Sequence, residues 1–464
     1  MPKLYILIFI ILSSTNYLNA FPLQEIDSLH IRLLIVEDEE KIETLLTLSE
    51  AYRNIVFNDC IKYGMQALRL ADETNNKTLK ALIFKSLGIS CYYSGNMDIA
   101  LGYYSQSLNV YKDIKDEKGQ ANCLNNIGLI YEEWADFDKA TDYYSQSYKI
   151  EEMIGNKEGM AISLIQIGNI SFYRNSFQEA LDNYYRALLI FTEIEDAEGI
   201  AYAYNSIGII YGKWNNFDKA LEYYQKAKEL YNETSNRRAL SQVLTNMGEV
   251  YNFELKDYKT ALCLYSEALM IKKSLEDVIG ISLLYNNLGT LYANMEDKKK
   301  ALEYFSLSLK SYEESGILTG VVMVNYNLGE LYQDSDNTRI AIEFFKKSLL
   351  EAVQTGQVDY INSNYEALIH CYAMLGEYEE FEKYFRLFNI GKDSLINKLN
   401  NLKMIEVEAK YKVEESLRES EQLQLENIEK EKEIKKYKLL LAGIGGVFIT
   451  LLFMYLLFLR LKKK

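Results

Sequence analysis

The stretch NNIGLIYEEWADFDKATDYYSQSYKI, residues 125–150, returns eighty residues later as NSIGIIYGKWNNFDKALEYYQKAKEL, residues 205–230. The two segments place a glycine, several aromatic residues and a turn at the same offsets. Self-similarity at a fixed period is typical of a repeat array, in which stacked units bury a core that one unit alone cannot build. The period therefore decides the fold.

Glycines mark seven copies of the unit, at spacings of 40, 40, 40, 40, 41 and 40 residues. They are Gly88, Gly128, Gly168, Gly208, Gly248, Gly289 and Gly329. About twelve residues after each glycine comes an alanine, and four residues after the alanine comes Tyr or Phe. The alanines are Ala100, Ala140, Ala180, Ala220, Ala261, Ala301 and Ala341. Most of the 39 tyrosines belong to this repeated pattern.

Each unit is predicted to form two helices joined by a turn. The alanine, the aromatic residue and a small residue stand at i, i+4 and i+7, which makes one apolar stripe on the second helix. The residue four before each alanine is Asn, Asp or Ser, whose side-chain oxygen accepts a backbone N–H at a helix start. We therefore expect second helices to begin at Asn96, Asp136, Ser176, Asn216, Asp257, Asp297 and Asn337. Only two prolines, at residues 2 and 22, interrupt the chain, which also favours helices.

The unit resembles the tetratricopeptide repeat, whose Leu-Gly, Tyr, Ala, aromatic and Ala signature occurs at these offsets, as in LGTLY at residues 288–292. It departs from that repeat in its length of 40 instead of about 34 residues and in lacking the closing proline. Long repeats of this kind resemble those of bacterial peptide-sensing regulators and eukaryotic scaffold proteins. The resemblance, with degenerate units at 38–72 and 358–386, implies an all-α superhelical solenoid of about eight helical hairpins over residues 21–388.

The N-terminus has the pattern of a secretory signal peptide over residues 1–20. Lys3 precedes an unbroken apolar run from Leu4 to Leu12, and a polar stretch leads to Ala20, where cleavage is expected. The apolar run is too short to span a bilayer. The alternative interpretation is that this run forms a buried first helix.

A second apolar segment, residues 439–459, contains 21 residues without a charge and would be about 31 Å long as a helix, enough to cross a membrane. The basic tail RLKKK, residues 460–464, suits a cytoplasmic end. Lysines also precede the span, so the signal peptide decides the predicted orientation, with the repeats in the periplasm and the span in the inner membrane. The charged segment 389–438 is predicted to be a helical stalk, either a dimeric coiled coil that would make a homodimer or a solvated single helix.

This arrangement resembles the input half of membrane sensors of Bacteroidota, which carry a histidine kinase or a LuxR-type DNA-binding domain after the span. Only five residues follow the span here. The resemblance implies a membrane-anchored module that binds a protein or peptide and relays to a cytoplasmic partner. Two alternatives stay open: the input half of a sensor kinase or regulator that lacks its output domain, and a cytosolic tail-anchored scaffold.

Composition and motifs argue against catalysis and nucleic-acid binding. The net charge of −15 opposes binding to phosphate backbones. The sequence has no P-loop, HExxH or GxSxG motif, and only two histidines, His30 and His370. Its five cysteines are scattered and are expected to be mostly buried free thiols. We expect a non-enzymatic protein with no cofactor and no metal.

Candidate ligand contacts follow from the resemblance, because the first helix of each tetratricopeptide unit lines the concave face. The positions three before and one, four or five after each glycine are then expected to face inward. Asparagines recur there and could hold a peptide backbone, since one amide both donates and accepts. Acidic residues favour a neutral or basic ligand. The candidates are Lys85, Tyr92, Asn125, Glu132, Phe172, Asn205, Asn286 and Tyr326. The alternative is that the asparagines bridge neighbouring helices.

Overall fold

The fold is known from a computed structural model, in which residues 23–53, 55–333 and 337–390 are described. These residues form helices joined by short turns, with no strand among them. The chain divides into two compact units, Met1–Ser335 and Asp336–Lys464. The expected all-α repeat architecture is confirmed for the described residues.

In its described residues the first unit contains a leading helix, seven helical hairpins and one further helix. Its helices are α1 (Leu23–Leu33), α2 (Asp38–Tyr52), α3 (Phe57–Glu73), α4 (Lys77–Tyr93), α5 (Met97–Ile114), α6 (Glu117–Glu133), α7 (Phe137–Met153), α8 (Lys157–Tyr173), α9 (Phe177–Glu193), α10 (Ala197–Lys213), α11 (Phe217–Glu233), α12 (Arg237–Glu249), α13 (Tyr258–Ser274), α14 (Val278–Asn294), α15 (Lys298–Glu314) and α16 (Leu318–Gln333). The second unit contains α17 (Thr338–Thr355), α18 (Val358–Leu375) and a helical stretch over 378–390.

The forty-residue period has a simple structural origin. A typical helix is 17 residues long and is linked to the next by three residues, so two helices with their links take 40 residues. The second helices begin at all seven expected N-cap positions. At four of them the side chain accepts a backbone N–H from three residues on: Asp136, Asn216, Asp257 and Asp297.

The repeated glycine lets the two helices of a hairpin approach each other closely. A Cβ on Gly128 would lie 2.6 Å from Cε1 of Tyr144, and the same holds at 2.7 Å for Gly168 and Tyr184. The aromatic ring of the second helix thus lies directly on the backbone of the first. Tyr144 is fully buried as a result.

A second set of glycines lies at the junctions between hairpins, and sequence analysis did not separate it from the first. Each stands nine residues before a repeat glycine and faces a side chain near the end of the preceding second helix, and Gly280 also faces the carboxylate of Asp277. The pairs are Gly119 with Tyr111, Gly159 with Glu151, Gly199 with Phe191, Gly280 with Lys272, and Gly320 with Tyr312. At two junctions a buried charged side chain therefore takes the place of an aromatic ring.

The single 41-residue spacing corresponds to a π-helical turn. Gly248 and Ala261 are thirteen residues apart, one more than in the other repeats. The extra residue is accommodated at Val250–Glu254, where the N–H of Leu255 donates to the carbonyl of Val250 at 3.1 Å. Because that bond spans five residues, the link and the next helix keep their usual register.

The even-numbered helices of the first unit form a continuous row. Helices α2, α4, α6 and α8 contact one another in order, as do α14 and α16, and side-chain hydrogen bonds join α8, α10, α12 and α14. We use the name even-helix face for the positions predicted to face inward on the even-numbered helices from α4 to α16.

Several predicted segments lie outside the described residues. These are the signal peptide at 1–20, the stalk beyond residue 390, the span at 439–459 and the tail at 460–464. No helix in the described ranges combines the length and hydropathy that a membrane crossing requires.

Candidate ligand-binding face

The asparagines of the even-helix face use their side-chain oxygens to join neighbouring helices. Oδ1 of Asn205 accepts a hydrogen bond from Nδ2 of Asn246 at 3.0 Å, which links α10 to α12. Oδ1 of Asn286 accepts from Nδ2 of Asn327 at 2.8 Å, which links α14 to α16. These bonds match the alternative that the asparagines bridge helices.

The bridging partners stand at a position that sequence analysis passed over. Asn246, Asn287 and Asn327 lie two residues before their repeat glycines, next to the position that was considered. For Asn287 the doublet Asn286–Asn287 is a signal in the sequence. Two adjacent asparagines on one helix can form hydrogen bonds with different neighbouring helices. A doublet therefore indicates a hydrogen bond to at least one of those helices.

Two of the predicted asparagines keep a free donor group. Asn125 and Asn205 are half-buried, and within the described part of the chain their Nδ2 atoms donate no hydrogen bond. Asn125 accepts from Ser163 Oγ at 3.5 Å through its oxygen alone. Asn286 and Tyr326, by contrast, are buried, and a ligand would reach them only after a rearrangement.

The structure brings three of the sequence-predicted candidates together with Glu133 and Lys213, which stand at the predicted inward position five residues after a glycine, at the C-terminal ends of α4, α6, α8 and α10. We call Tyr92, Glu132, Glu133, Phe172 and Lys213 the acid–aromatic cluster. The Tyr92 hydroxyl donates to Oε1 of Glu133 at 3.0 Å. The Lys213 ammonium lies 6.0 Å from the Phe172 ring centroid. Lys85, half-buried on α4, lies two turns before Tyr92.

Glu132 is held in an environment that favours its neutral form. Burial raises the pKa of this carboxyl to about 7, and the neighbouring Glu133 charge acts in the same direction. The buried hydroxyl of Tyr144 donates to Glu132 Oε2 at 2.6 Å and partly offsets the effect. The carboxyl is thus close to its titration midpoint at neutral pH.

Glu249, further along the same face, is in a similar state. Burial raises its pKa to about 7, against the opposing effects of a hydrogen bond from Asn287 Nδ2 at 3.3 Å and of the Lys213 charge. A cationic group placed beside either carboxyl would favour the ionised form and would be attracted by it. The even-helix face therefore offers two carboxyls that can respond to a basic ligand.

Nucleophilic and metal chemistry have little support in the described residues. Four of the five cysteines are buried and Cys263 is exposed. Burial raises the pKa of Cys91, Cys123 and Cys371 to about 11, so these thiols are poor nucleophiles at neutral pH. No group of three or more metal-ligating side chains is gathered within the described ranges.

Family comparison decides the assignment. The family model of the tetratricopeptide repeat matches residues 77–152, 159–233, 216–274 and 237–314, which together make up half of the chain. A second model of the same repeat matches residues 324–351. The chain belongs to the tetratricopeptide-repeat proteins. No curated protein matches this sequence.

Solved structures of other tetratricopeptide-repeat proteins are similar in fold. The apo form of the quorum sensor NprR from B. thuringiensis has a TM-score of 0.53 at 14% identity, over 77% of this chain and 100% of that one. A Rap protein complexed with competence and sporulation factor has a TM-score of 0.51 at 16% identity, over 77% of this chain and 99% of that one. Aspartyl phosphate phosphatase F from Bacillus subtilis has a TM-score of 0.49 at 18% identity, over 62% of this chain and 74% of that one. At these identities the likeness to NprR and to the Rap protein establishes the fold alone.

Proposed function

We propose that this tetratricopeptide-repeat protein is a non-enzymatic binding module that holds a protein segment or peptide along the even-helix face. The acid–aromatic cluster carries the proposal. It combines half-buried aromatic rings with two adjacent carboxyls, Glu132 and Glu133, that form no ion pair within the described residues. Aromatic anchors near polar groups are the usual energetic centre of a protein interface.

The free Nδ2 groups of Asn125 on α6 and Asn205 on α10 extend this surface. Helix α8, which carries Phe172, lies between these two helices in the row. An extended chain that crosses successive helices meets one such group on α6 and another on α10. Backbone carbonyls of a ligand would accept from these amides, while its side chains reach the aromatic rings. NprR is a quorum sensor and the similar Rap protein was solved in complex with a factor, which supports a binding role by analogy of fold.

We further propose that the module is anchored in the inner membrane with its repeats in the periplasm, and that it relays its bound state to a cytoplasmic partner. The support is the sequence: the apolar pattern of residues 1–20, the uncharged segment 439–459 and the basic tail. A receptor of this kind would meet its ligand outside the cytoplasm.

The binding proposal is tested by selecting peptides from a random display library on the purified full chain. The selected peptide is then measured against Phe172→Ala, on the even-helix face, and against Leu189→Ala, on α9, whose side chain is 70% exposed. We expect Phe172→Ala to weaken binding by about tenfold or more and Leu189→Ala to leave it unchanged. Equal effects of both variants, with helical content preserved, would contradict the proposed face.

A further inference from the structure

The last described hairpin keeps the register of the repeat. It consists of α18 and the helical stretch 378–390. Tyr384 in that stretch stacks on Tyr372 of α18 with ring centroids 5.6 Å apart. In the hairpin of α6 and α7, Tyr143 stacks on Tyr131 at 5.4 Å. Positions in 378–390 can therefore be compared one by one with positions in α7.

In α7 the stripe beside this stacked pair is covered by the next hairpin. Phe137 stacks on Tyr173 of α8, with ring centroids 5.9 Å apart. Ala140 and Tyr144 share a buried cluster with Ile170 of α8. The following even-numbered helix thus buries the outward stripe of each hairpin.

No described residue covers the corresponding stripe of the last hairpin. Its residues are Tyr378, Phe381 and Phe385, where α7 has Phe137, Ala140 and Tyr144. Tyr378 is 78% exposed and Phe385 is 46% exposed. The rings of Phe381 and Phe385 stack at 5.9 Å, so the stripe is one continuous aromatic surface. A contiguous apolar surface at a position that the repeat otherwise buries indicates a missing partner.

The chain itself supplies a suitable partner immediately afterwards. In the register of the repeat, Ile369 replaces the glycine in α18, and forty residues further the glycine position is taken by Ala409, a small residue. Leu402 and Ile405 then fall seven and four residues before it, where α6 places buried Ala121 and Leu124 before Gly128. Charged residues alternate with these positions, such as Lys403 after Leu402 and Lys410 after Ala409, as suits the exposed side of a terminal helix.

We propose that residues 398–414 dock on the stripe Tyr378, Phe381 and Phe385 as a final half-repeat that closes the array. The first part of the charged segment 389–438, which leads to the predicted span, would then belong to the solenoid. A movement of the last hairpin would therefore also move that segment. This docking does not depend on the ligand or on the orientation in the membrane.

The test is a disulfide cross-link in the purified full chain in detergent, with the exposed thiol removed by Cys263→Ser. By the register, Tyr411 corresponds to Ile170 of α8, which contacts the equivalent of Phe385. The pair Phe385→Cys and Tyr411→Cys should therefore form an intramolecular disulfide on mild oxidation, identified by mass spectrometry of the linked peptides. The pair Phe385→Cys and Val413→Cys is the control, because residue 413 would lie on the far side of the same helix.

A link between two different chains, revealed by mixing isotopically labelled and unlabelled protein, would assign the stripe to a second copy and overturn the proposal. Equal linking in both pairs, or none in either, would also overturn it. An independent measurement is hydrogen exchange over residues 378–390. Leu402→Glu with Ile405→Glu should speed that exchange several-fold, and Lys403→Gln should not. No change with the double substitution contradicts the docking.

Discussion

The absence of a side chain at Gly128 sets how closely α6 and α7 approach. A Cβ there would lie 2.6 Å from the buried ring of Tyr144, closer than any relaxed contact allows. Gly128→Ala should therefore lower the free energy of unfolding by roughly 1–3 kcal/mol, because the ring has no room to move. A lowered midpoint of thermal unfolding, followed by circular dichroism, would show this.

The matched control is Gly102→Ala in α5, where no atom lies within 4 Å of the added Cβ. At this exposed helical position alanine should be neutral or stabilising by up to ~1 kcal/mol. If both substitutions shifted the midpoint equally, close packing would not be the reason for the repeated glycine.

Glu132 and Glu249 should make the protein less stable as the pH rises. Their pKa is about 7 in the folded chain against about 4.3 in an unfolded one, so the folded state binds more protons between these values. The free energy of unfolding should then fall from pH 5 to pH 8. The double variant Glu132→Gln with Glu249→Gln should match the wild type at pH 5 and exceed it at pH 8, on the order of 1 kcal/mol per site.

Thermal midpoints at pH 5, 6, 7 and 8 for the wild type and the double variant provide the measurement. A difference that stays constant over this range would mean that the two carboxyls do not titrate there.

At the scale of the helix junction, α13 and α14 meet through charges, where the junctions at Gly119, Gly199 and Gly320 use an aromatic ring. Lys272 is buried beside Gly280, and its Nζ lies 3.0 Å from Oδ2 of Asp277. Removing the Lys272 charge should leave the partly buried Asp277 carboxylate with the longer contact to Nη1 of Arg238, at 3.9 Å, so Lys272→Met should cost roughly 1–3 kcal/mol. Lys272→Tyr with Asp277→Asn should restore most of this loss.

The double substitution is designed from a neighbouring junction. Tyrosine would lie on Gly280 as Tyr111 lies on Gly119, and asparagine can still cap α14 as Asp277 does through the Gly280 N–H. The measurement is the midpoint of thermal unfolding of Lys272→Met, of the double variant and of the wild type. A double variant as unstable as Lys272→Met would show that this junction needs its ion pair.

Helices and their starts could be predicted from the sequence because they depend on short-range patterns. The period, the stripe at i, i+4 and i+7 and the capping residues gave the boundaries at all seven second helices. The 41-residue spacing indicates that one residue is inserted in this repeat. Its place at Val250–Glu254 depends on which backbone hydrogen bonds span five residues instead of four. Several choices are compatible with one inserted residue, and only packing selects among them.

The candidate face was predictable in position and less so in detail. A resemblance to the repeat family placed Tyr92, Glu132 and Phe172 on one side of the array. The bonds that engage Asn205 and Asn286 could not be derived, because they join residues about forty positions apart whose side-chain rotamers are fixed by packing. Burial of Tyr144 against Glu132 likewise follows from the three-dimensional contact and not from spacing.

For the whole molecule, the predicted topology places residues 21–438 outside the cytoplasm. Protease added to spheroplasts should then digest the repeats and leave a C-terminal tag attached to a short membrane fragment, because only residues 439–464 would be protected. Survival of the repeats in intact spheroplasts, with digestion after lysis, would instead assign the protein to the cytoplasm as a tail-anchored scaffold.

The central claim is that the even-helix face binds an extended protein segment, and hydrogen exchange with and without a selected peptide tests it most directly. We predict slower exchange in the C-terminal halves of α6, α8 and α10, around Glu132 and Phe172, with α7, α9 and α11 unchanged. Protection confined to the odd-numbered helices, or to the second unit, would contradict the account.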